Sequence, residues 1–148
     1  MRVLGVDFGL RRIGLALSDP GEALATPLRS IRVGSVREAP EAIAAAARES
    51  GAGAIVLGAP LGLEGEESRP AMRRVERLAT ALRRETGLPV HLVDESLSTR
   101  EAEERVPAAR RARSGEAQHA LAAAVILQRW LDRPKSRARE ERAAEERP

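Results

Sequence analysis

The chain has 148 residues, of which 43% are hydrophobic and 32% are charged. That length suits one domain and excludes two full ones. Only 1% of the residues are aromatic, so the core must be built from Ala, Val, Leu and Ile. There is no cysteine, which excludes disulfide scaffolds, thiolate zinc sites and cysteine nucleophiles. No apolar run approaches the roughly 20 residues of a membrane span, so we expect a cytoplasmic protein that does not bind membranes.

The positive charge is concentrated in arginine and toward the C-terminus. The formal net charge is +3, and Lys135 is the one lysine. Residues 133–148 alternate charges and lack apolar anchors, whereas residues 1–132 are almost neutral. We therefore predict one domain over 1–132 and a charged, flexible tail over 133–148.

The first third of the chain predicts an antiparallel meander. Apolar runs at 2–7 and 13–18 are separated by a short turn, and a third extended segment covers about 24–33. Pro27 is expected to interrupt the pairing of that third strand, because proline has no N–H to donate.

The remainder of the chain predicts alternating helices and strands. Apolar residues at helical spacing indicate the helices, and short apolar runs that end at turn residues indicate the strands. In chain order the sequence predicts a helix over 36–50, a strand over 54–57, a helix over 70–86, a strand over 88–93 and a helix over 115–132. Gly51 and Gly53 are expected to stop the first helix. This order predicts an α/β domain with a mixed sheet whose later strands are parallel and buried.

A carboxylate lies at the end of the first predicted strand. Asp7 follows an apolar run that should cross the centre of the sheet. An unpaired carboxylate there is unfavourable by several kcal/mol unless it is hydrogen-bonded or binds a metal. Taken alone, Asp7 is explained equally well as the turn former of an Asp-x-Gly hairpin.

Two carboxylates end the last predicted strand. Asp94 and Glu95 are adjacent, so at most one of them points toward a shared site. If the strands that carry Asp7 and Glu95 are parallel neighbours or near neighbours, both carboxylates emerge at the carboxyl edge, where open α/β sheets bind ligands. Ser98 and Glu101 fit a capping box for a following helix, which does not account for Glu95.

A histidine near the start of the final helix is a third candidate. Glu116 and His119 are three residues apart and share a helical face, a spacing that allows metal ligation. A hydrogen-bonded core histidine is the alternative for His119. His91 lies inside a strand with no carboxylate at matching reach, and we interpret it as structural.

Glycines and arginines suggest contacts with phosphates. The glycine-rich loop at 58–65 follows a strand but lacks the Lys-Ser/Thr ending of a P-loop, so binding of a nucleotide and binding of a substrate backbone both remain open. Arginines that could neutralise phosphates form two clusters. The first is Arg11 with Arg12, and the second is Arg105 with Arg110, Arg111 and Arg113. The alternative for these clusters is a solvated basic surface.

Four ordered segments resemble the motifs of the YqgF/RuvX family. They are VLGVDFGLRRIGLALSD at 3–19, VLGAPLGLEG at 56–65, VDESLSTREA at 93–102 and HALAAAVILQRWL at 119–131. The resemblance implies a ribonuclease H-like fold, related to that of the Holliday junction resolvases. The expected sheet has five strands, with an antiparallel three-stranded meander and two parallel strands, and is flanked by helices.

The same resemblance implies a metal-dependent nuclease that matures the 5′ end of pre-16S rRNA, with resolution of branched DNA as the alternative. It implies Asp7 as a bridging metal ligand, Glu95 as a second ligand and His119 as a ligand or proton-transfer group, with Glu116 and Asp94 in reserve. The family usually carries aspartate where this chain has His119. Hard Mg²⁺ prefers oxygen ligands and Mn²⁺ accepts imidazole more readily, so either ion is a candidate cofactor.

Two other classes of protein compete with the nuclease. A non-catalytic nucleic-acid-binding module of the same fold is favoured slightly by His119 and opposed by the presence of Asp7 and Glu95. A sugar-kinase-like or actin-like ATPase shares the Asp-x-Gly hairpin but normally needs two such domains. The sequence leaves open whether RNA or DNA is cut, whether cleavage is exonucleolytic or endonucleolytic, and which oligomer forms.

Overall fold

The computed structural model of the chain describes residues 1–61, 69–95 and 115–134. These residues form five strands, three α-helices and one short 3-10 turn. In chain order they are β1 (Arg2–Phe8), β2 (Arg12–Ser18), β3 (Ala25–Arg32), the 3-10 turn (Val36–Glu38), α1 (Ala39–Ser50), β4 (Ala52–Ala59), α2 (Arg69–Thr86), β5 (Val90–Asp94) and α3 (Gly115–Leu131). None of these helices combines the length and the apolar composition of a membrane span.

The strands form one mixed sheet in the order β3-β2-β1-β4-β5. β1 pairs antiparallel with β2, and β2 pairs antiparallel with β3. β4 is parallel to both β1 and β5. The predicted meander and the two parallel strands are therefore confirmed. β1 and β5 are separated only by β4, so their carboxyl ends lie at the same edge of the sheet.

The structure departs from the predicted elements at prolines and at one glycine. Pro40 lies in the first turn of α1, so the predicted helix over 36–50 is divided into the 3-10 turn and α1. Pro27 does not end β3, but the register shifts between Leu15 and Ala16, where the pairing of β2 with β3 has an irregularity. Gly53, predicted at the end of the helix, lies in β4 beneath the side chain of Met1.

The two faces of the sheet pack against different helices. The large aliphatic residues of the strands point to the face that α1 and α2 cover, and they are fully buried; they include Leu4, Val6, Ile13, Leu15, Ile55 and Leu57. Smaller residues point to the opposite face, where α3 packs; they include Val3, Ala16, Ala54 and Val56. The alternation of large and small side chains along each strand produces this difference.

A buried glutamine fixes α3 on the sheet. Gln128 is fully buried, and its Oε1 accepts a hydrogen bond of 2.9 Å from the N–H of Ala25. Its Nε2 donates to the carbonyl of Ala23 at 3.0 Å and to Oδ1 of Asp132 at 3.0 Å. The bonds to Ala23 and Ala25 join the end of α3 to the connection between β2 and β3.

Candidate active site

Asp7 is the next-to-last residue of β1 and lies on the face that α3 covers. Alternation along β1 places Gly5 on this face, where a Cβ would lie 2.6 Å from the Cβ of Leu127 in α3, and Asp7 follows two residues later. The side chain of Asp7 is half-buried. Burial raises the pKa of Asp7 above its usual value, and the nearby charge of His119 opposes that increase.

Glu95 follows β5 directly and lies over a glycine of the neighbouring strand. Its N–H donates to the carbonyl of Ala59 at 2.9 Å, which continues the pairing of β5 with β4. A Cβ on Gly58 would lie 3.0 Å from Oε2 of Glu95 and 2.6 Å from Cδ1 of Ile126 in α3. A side chain at position 58 would require the ends of both side chains to shift, so Gly58 allows the Glu95 carboxylate to lie against the sheet on the α3 face.

The charges of Asp7 and Glu95 act on each other across β4. Burial raises the pKa of Glu95, and the charges of Asp7 and of Asp94 raise it further. Two partly desolvated carboxylates that repel each other are stabilised by a divalent cation. The predicted convergence of the two strand-end carboxylates at one edge of the sheet is thus present in the structure.

His119 lies beside Asp7 because α3 approaches β2 closely at a glycine. Gly14 is the register partner of Asp7 in β2. A Cβ on Gly14 would overlap the backbone carbonyl of His119, so the helix can lie this close only over glycine. The side chain of His119 is half-buried. The sequence does not indicate this role of Gly14, since a glycine inside a strand does not reveal which element approaches it.

The side chains of Asp7, Glu95 and His119 are of the kinds that bind divalent cations, but the structure does not arrange all three around one point. Two carboxylates and one imidazole are ligands that Mn²⁺ accepts, and carboxylates alone suit Mg²⁺. Among the residues that the structure describes, no group of three His, Cys, Asp or Glu side chains is arranged to hold one ion. The structure therefore places Glu95 and His119 each near Asp7 without gathering all three about a common position. Asp94 belongs to the opposite face by alternation, and the side chain of Glu116 is outside the described set.

The first arginine cluster lies at the same edge of the sheet as Asp7. Arg11 is exposed in the β1–β2 turn, which the N–H of Gly9 closes by donating to the carbonyl of Arg12 at 3.0 Å. Arg32, at the end of β3, is the register partner of Arg12. Arg32 was not predicted from the sequence, because the pairing of β2 with β3 is what brings it to this edge.

Several predictions from the sequence fall outside the described residues. They concern the arginines Arg105, Arg110, Arg111 and Arg113, the glycine-rich loop from residue 62 onward, the capping box of Ser98 and Glu101, and the tail from residue 135.

The end of α3 supports β5 next to Glu95. Arg129 donates from Nη1 to the carbonyl of Asp94, and this contact holds the last residue of the strand. His91 stacks on Trp130 with 5.0 Å between ring centroids, and the guanidinium of Arg133 lies 3.4 Å above the Trp130 ring. A cleft of about 560 Å³ runs along β5 beside these side chains. No sequence pattern indicates the role of Arg129, because the contact joins residues 35 positions apart.

Solved structures of other proteins have the same fold. Thermus thermophilus RuvC in complex with a Holliday junction substrate matches with a TM-score of 0.61 and 17% identity, over 88% of this chain and 94% of that one. Another Thermus thermophilus RuvC structure matches with a TM-score of 0.54 over 85% of this chain and 92% of that one. The fold is therefore ribonuclease H-like, as the sequence predicts.

Sequence comparison identifies the family. The family model RuvX, described as Holliday junction resolvase, matches residues 1–133, and the chain belongs to this family. A relative from Anaeromyxobacter sp. (strain Fw109-5) is 48% identical over 89% of this chain and 97% of its own length. Relatives from Acidiphilium cryptum and Maridesulfovibrio salexigens are 40% and 39% identical, over 88% and 90% of this chain and 84% and 99% of their own lengths. All three are named as candidate pre-16S rRNA nucleases.

Proposed function

We propose that the protein is a divalent-metal-dependent nuclease that hydrolyses phosphodiester bonds in structured nucleic acid, and that its substrate is the 5′ end of pre-16S rRNA. The observation that carries this proposal is that Asp7 and Glu95 lie at the carboxyl ends of β1 and β5 at one edge of the sheet, where the charge of Asp7 raises the pKa of Glu95. The names of the relatives support the choice of substrate.

Each residue of the site has a separate role in this proposal. A divalent cation held by Asp7 and Glu95 would act as a Lewis acid and would orient the scissile phosphate. Asp7 is fixed by the pairing of β1, and Glu95 is fixed by the bond of its N–H to Ala59. His119, beside Asp7, serves as a third ligand or transfers a proton. If it is a ligand, Mn²⁺ supports more activity than Mg²⁺, because imidazole is the poorer ligand for Mg²⁺.

We assign binding of the flanking phosphates to Arg11 and Arg12 at the sheet edge, and to Arg110, Arg111 and Arg113. Replacing the last three with Ala is expected to weaken nucleic-acid binding. It should also reduce the slope of log K against log salt by roughly 0.7 to 0.9 for each phosphate that the protein no longer neutralises. An unchanged slope would assign these three arginines to a solvated surface instead.

Resolution of branched DNA is the second candidate function. It is favoured by the description of the family as Holliday junction resolvase. Both functions use the same hydrolysis, so the substrate distinguishes them.

The test is a cleavage assay with matched substrates. Single-stranded RNA, a pre-16S rRNA 5′ fragment, single-stranded DNA and a four-way DNA junction are incubated with the wild type in Mg²⁺ and in Mn²⁺, with Glu95→Gln as the control for contaminating nuclease. We expect metal-dependent cleavage of the rRNA fragment that the variant lacks. Preferential cleavage of the junction would replace the first candidate by the second. Binding of nucleic acid without any cleavage by the wild type would contradict both and favour a non-catalytic module.

A further inference from the structure

The outer face of α2 is strongly basic and has no role in the proposed site. This helix carries two glutamates and six arginines, which are Arg69, Arg73, Arg74, Arg77, Arg83 and Arg84. The neighbouring helix α1 carries two glutamates and one arginine, although both helices pack on the same face of the sheet. The basic excess of α2 is therefore a property of this helix and not of the whole face.

Three of these arginines form one stripe along the helix. Arg73, Arg77 and Arg84 are exposed, and with Thr80 they recur at the spacing that aligns side chains on one side of a helix. They line one shallow hollow of about 390 Å³, which also includes Glu76 and Ala81. None of the three arginines forms an ion pair with another residue in the part of the chain described. Glu76 is the one acidic residue among the side chains that line this hollow.

The stripe begins at the edge of the sheet where the proposed site lies. Because α2 connects the parallel strands β4 and β5, its first turns lie at their carboxyl edge, the edge at which Glu95 follows β5. Its last turns lie at the opposite edge, where Arg83 donates to the carbonyl of Val90 at 2.7 Å. At 1.5 Å per residue, the helix rises by about 16 Å between Arg73 and Arg84. A nucleic-acid strand that leaves the site and crosses this edge from the α3 face to the α2 face would meet the row of arginines at Arg73.

We propose that Arg73, Arg77 and Arg84 form a second binding surface for the phosphate backbone of the nucleic acid on which the site acts. The inference rests on the proposed function, and it extends that function to a substrate longer than the cleaved segment. Arginine suits this role because its planar guanidinium donates two parallel hydrogen bonds to one phosphate. Contacts to phosphates carry no sequence information, so we expect this surface to bind the backbone without selecting bases.

The first test measures binding as a function of salt. Glu95→Gln serves as the background, so that substrate is not consumed, and a fluorescein-labelled RNA of 30 nucleotides is the probe. Arg73→Gln, Arg77→Gln and Arg84→Gln are combined. The matched control combines Arg2→Gln, Arg37→Gln and Arg48→Gln, which remove the same charge from other exposed positions.

We expect the α2 variant to reduce the slope of log K against log salt by about 2, at roughly 0.7 to 0.9 for each phosphate. The control variant keeps the slope of its background. Equal slopes for the two triple variants would overturn the proposal, because the effect would then come from net charge alone. Thermal unfolding checks that both variants are folded, and all six positions are exposed.

The second test uses the absence of cysteine from the chain. Arg77→Cys and Arg48→Cys each provide a single attachment point for a thiol-linked photocrosslinker. We expect the group at position 77 to crosslink to the RNA and the group at position 48 not to do so. Equal crosslinking from both positions, or none from position 77, would overturn the proposal.

These tests separate failure of the surface from failure of the proposed nuclease. Crosslinking from position 77 with no cleavage by the wild type would retain the binding surface and reject the nuclease. Cleavage by the wild type with no change in salt slope for the α2 variant would retain the nuclease and reject the surface.

Discussion

The two faces of the sheet have different kinds of core. On the side of α1 and α2, the strands bury continuous rows of Leu, Ile and Val. On the side of α3, the same strands present valines, alanines and glycines, and a carboxylate is tolerated next to them. Large side chains fill the space between the sheet and the helices α1 and α2. On the other face, α3 packs closely on the sheet over smaller residues.

This difference explains why the candidate site lies on the second face. Gly14 and Gly58 leave space against the sheet, and His119 and Glu95 occupy it. Large side chains at these positions would exclude both groups. The α1/α2 face thus contributes mainly to stability, and the α3 face combines packing with placement of the site residues.

The largest expected effect follows from removing a carboxylate charge on the α3 face. Asp7→Asn and Glu95→Gln preserve volume and remove a proposed metal ligand, so we expect each to lower cleavage by more than about 100-fold while the fold is kept. Metal binding, followed by calorimetry, should weaken in parallel. Cleavage near the wild-type rate by either purified variant would remove that residue from the site.

Adjacent residues on opposite faces test the comparison directly. Leu15→Ala leaves a cavity on the α1/α2 face and should lower the free energy of unfolding by about 2 to 5 kcal/mol. Gly14→Ala forces α3 away from β2 and should lower it by about 1 to 3 kcal/mol. At a temperature where both variants are folded, we expect only Gly14→Ala to lower the rate of cleavage, because only this change moves His119. Equal loss of activity in both variants would contradict the assignment of the site residues to the α3 face.

His119→Asp replaces the imidazole by the carboxylate that the family usually carries. If His119 binds the metal, this variant should shift the ratio of activity in Mn²⁺ to activity in Mg²⁺ by about tenfold toward Mg²⁺, because it supplies a hard oxygen ligand. Should His119→Asp and His119→Ala both keep the metal preference of the wild type, His119 is a structural residue.

A smaller effect is expected on stability as a function of pH. The pKa values of Asp7 and Glu95 are raised in the folded protein, so their contribution to stability is greatest below their unfolded values of 3.8 and 4.5. It is lost as the pH rises through the raised values of the folded state, because both groups must then ionise next to each other. In EDTA, we expect the combined variant Asp7→Asn with Glu95→Gln to have a higher Tm than the wild type by a few degrees at pH 7 and by less at pH 4. An advantage that does not grow with pH would contradict the raised pKa values.

The sequence predicts the order and type of the elements because apolar periodicity is local. The runs ending at Asp7 and at Asp94 identify both strand ends, and their common edge follows from α/β topology. The close approaches at Gly14 and Gly58 could not be predicted, because a glycine in a strand has no side chain that indicates its neighbour. The proximity of His119 to Asp7 likewise joins residues that are distant in sequence, and it depends on how closely α3 packs.

The charge of Asp7 raises the pKa of Glu95, and the proposed site depends on this interaction. The most direct test of it is the titration of the Glu95 carboxyl carbon, followed by NMR, in the metal-free wild type and in Asp7→Asn. We predict that the pKa of Glu95 falls when the charge of Asp7 is removed, yet stays above its usual value because burial remains. We further predict that Mg²⁺ lowers this pKa in the wild type more than in the variant. A Glu95 titration that is identical in the two proteins would contradict the shared site.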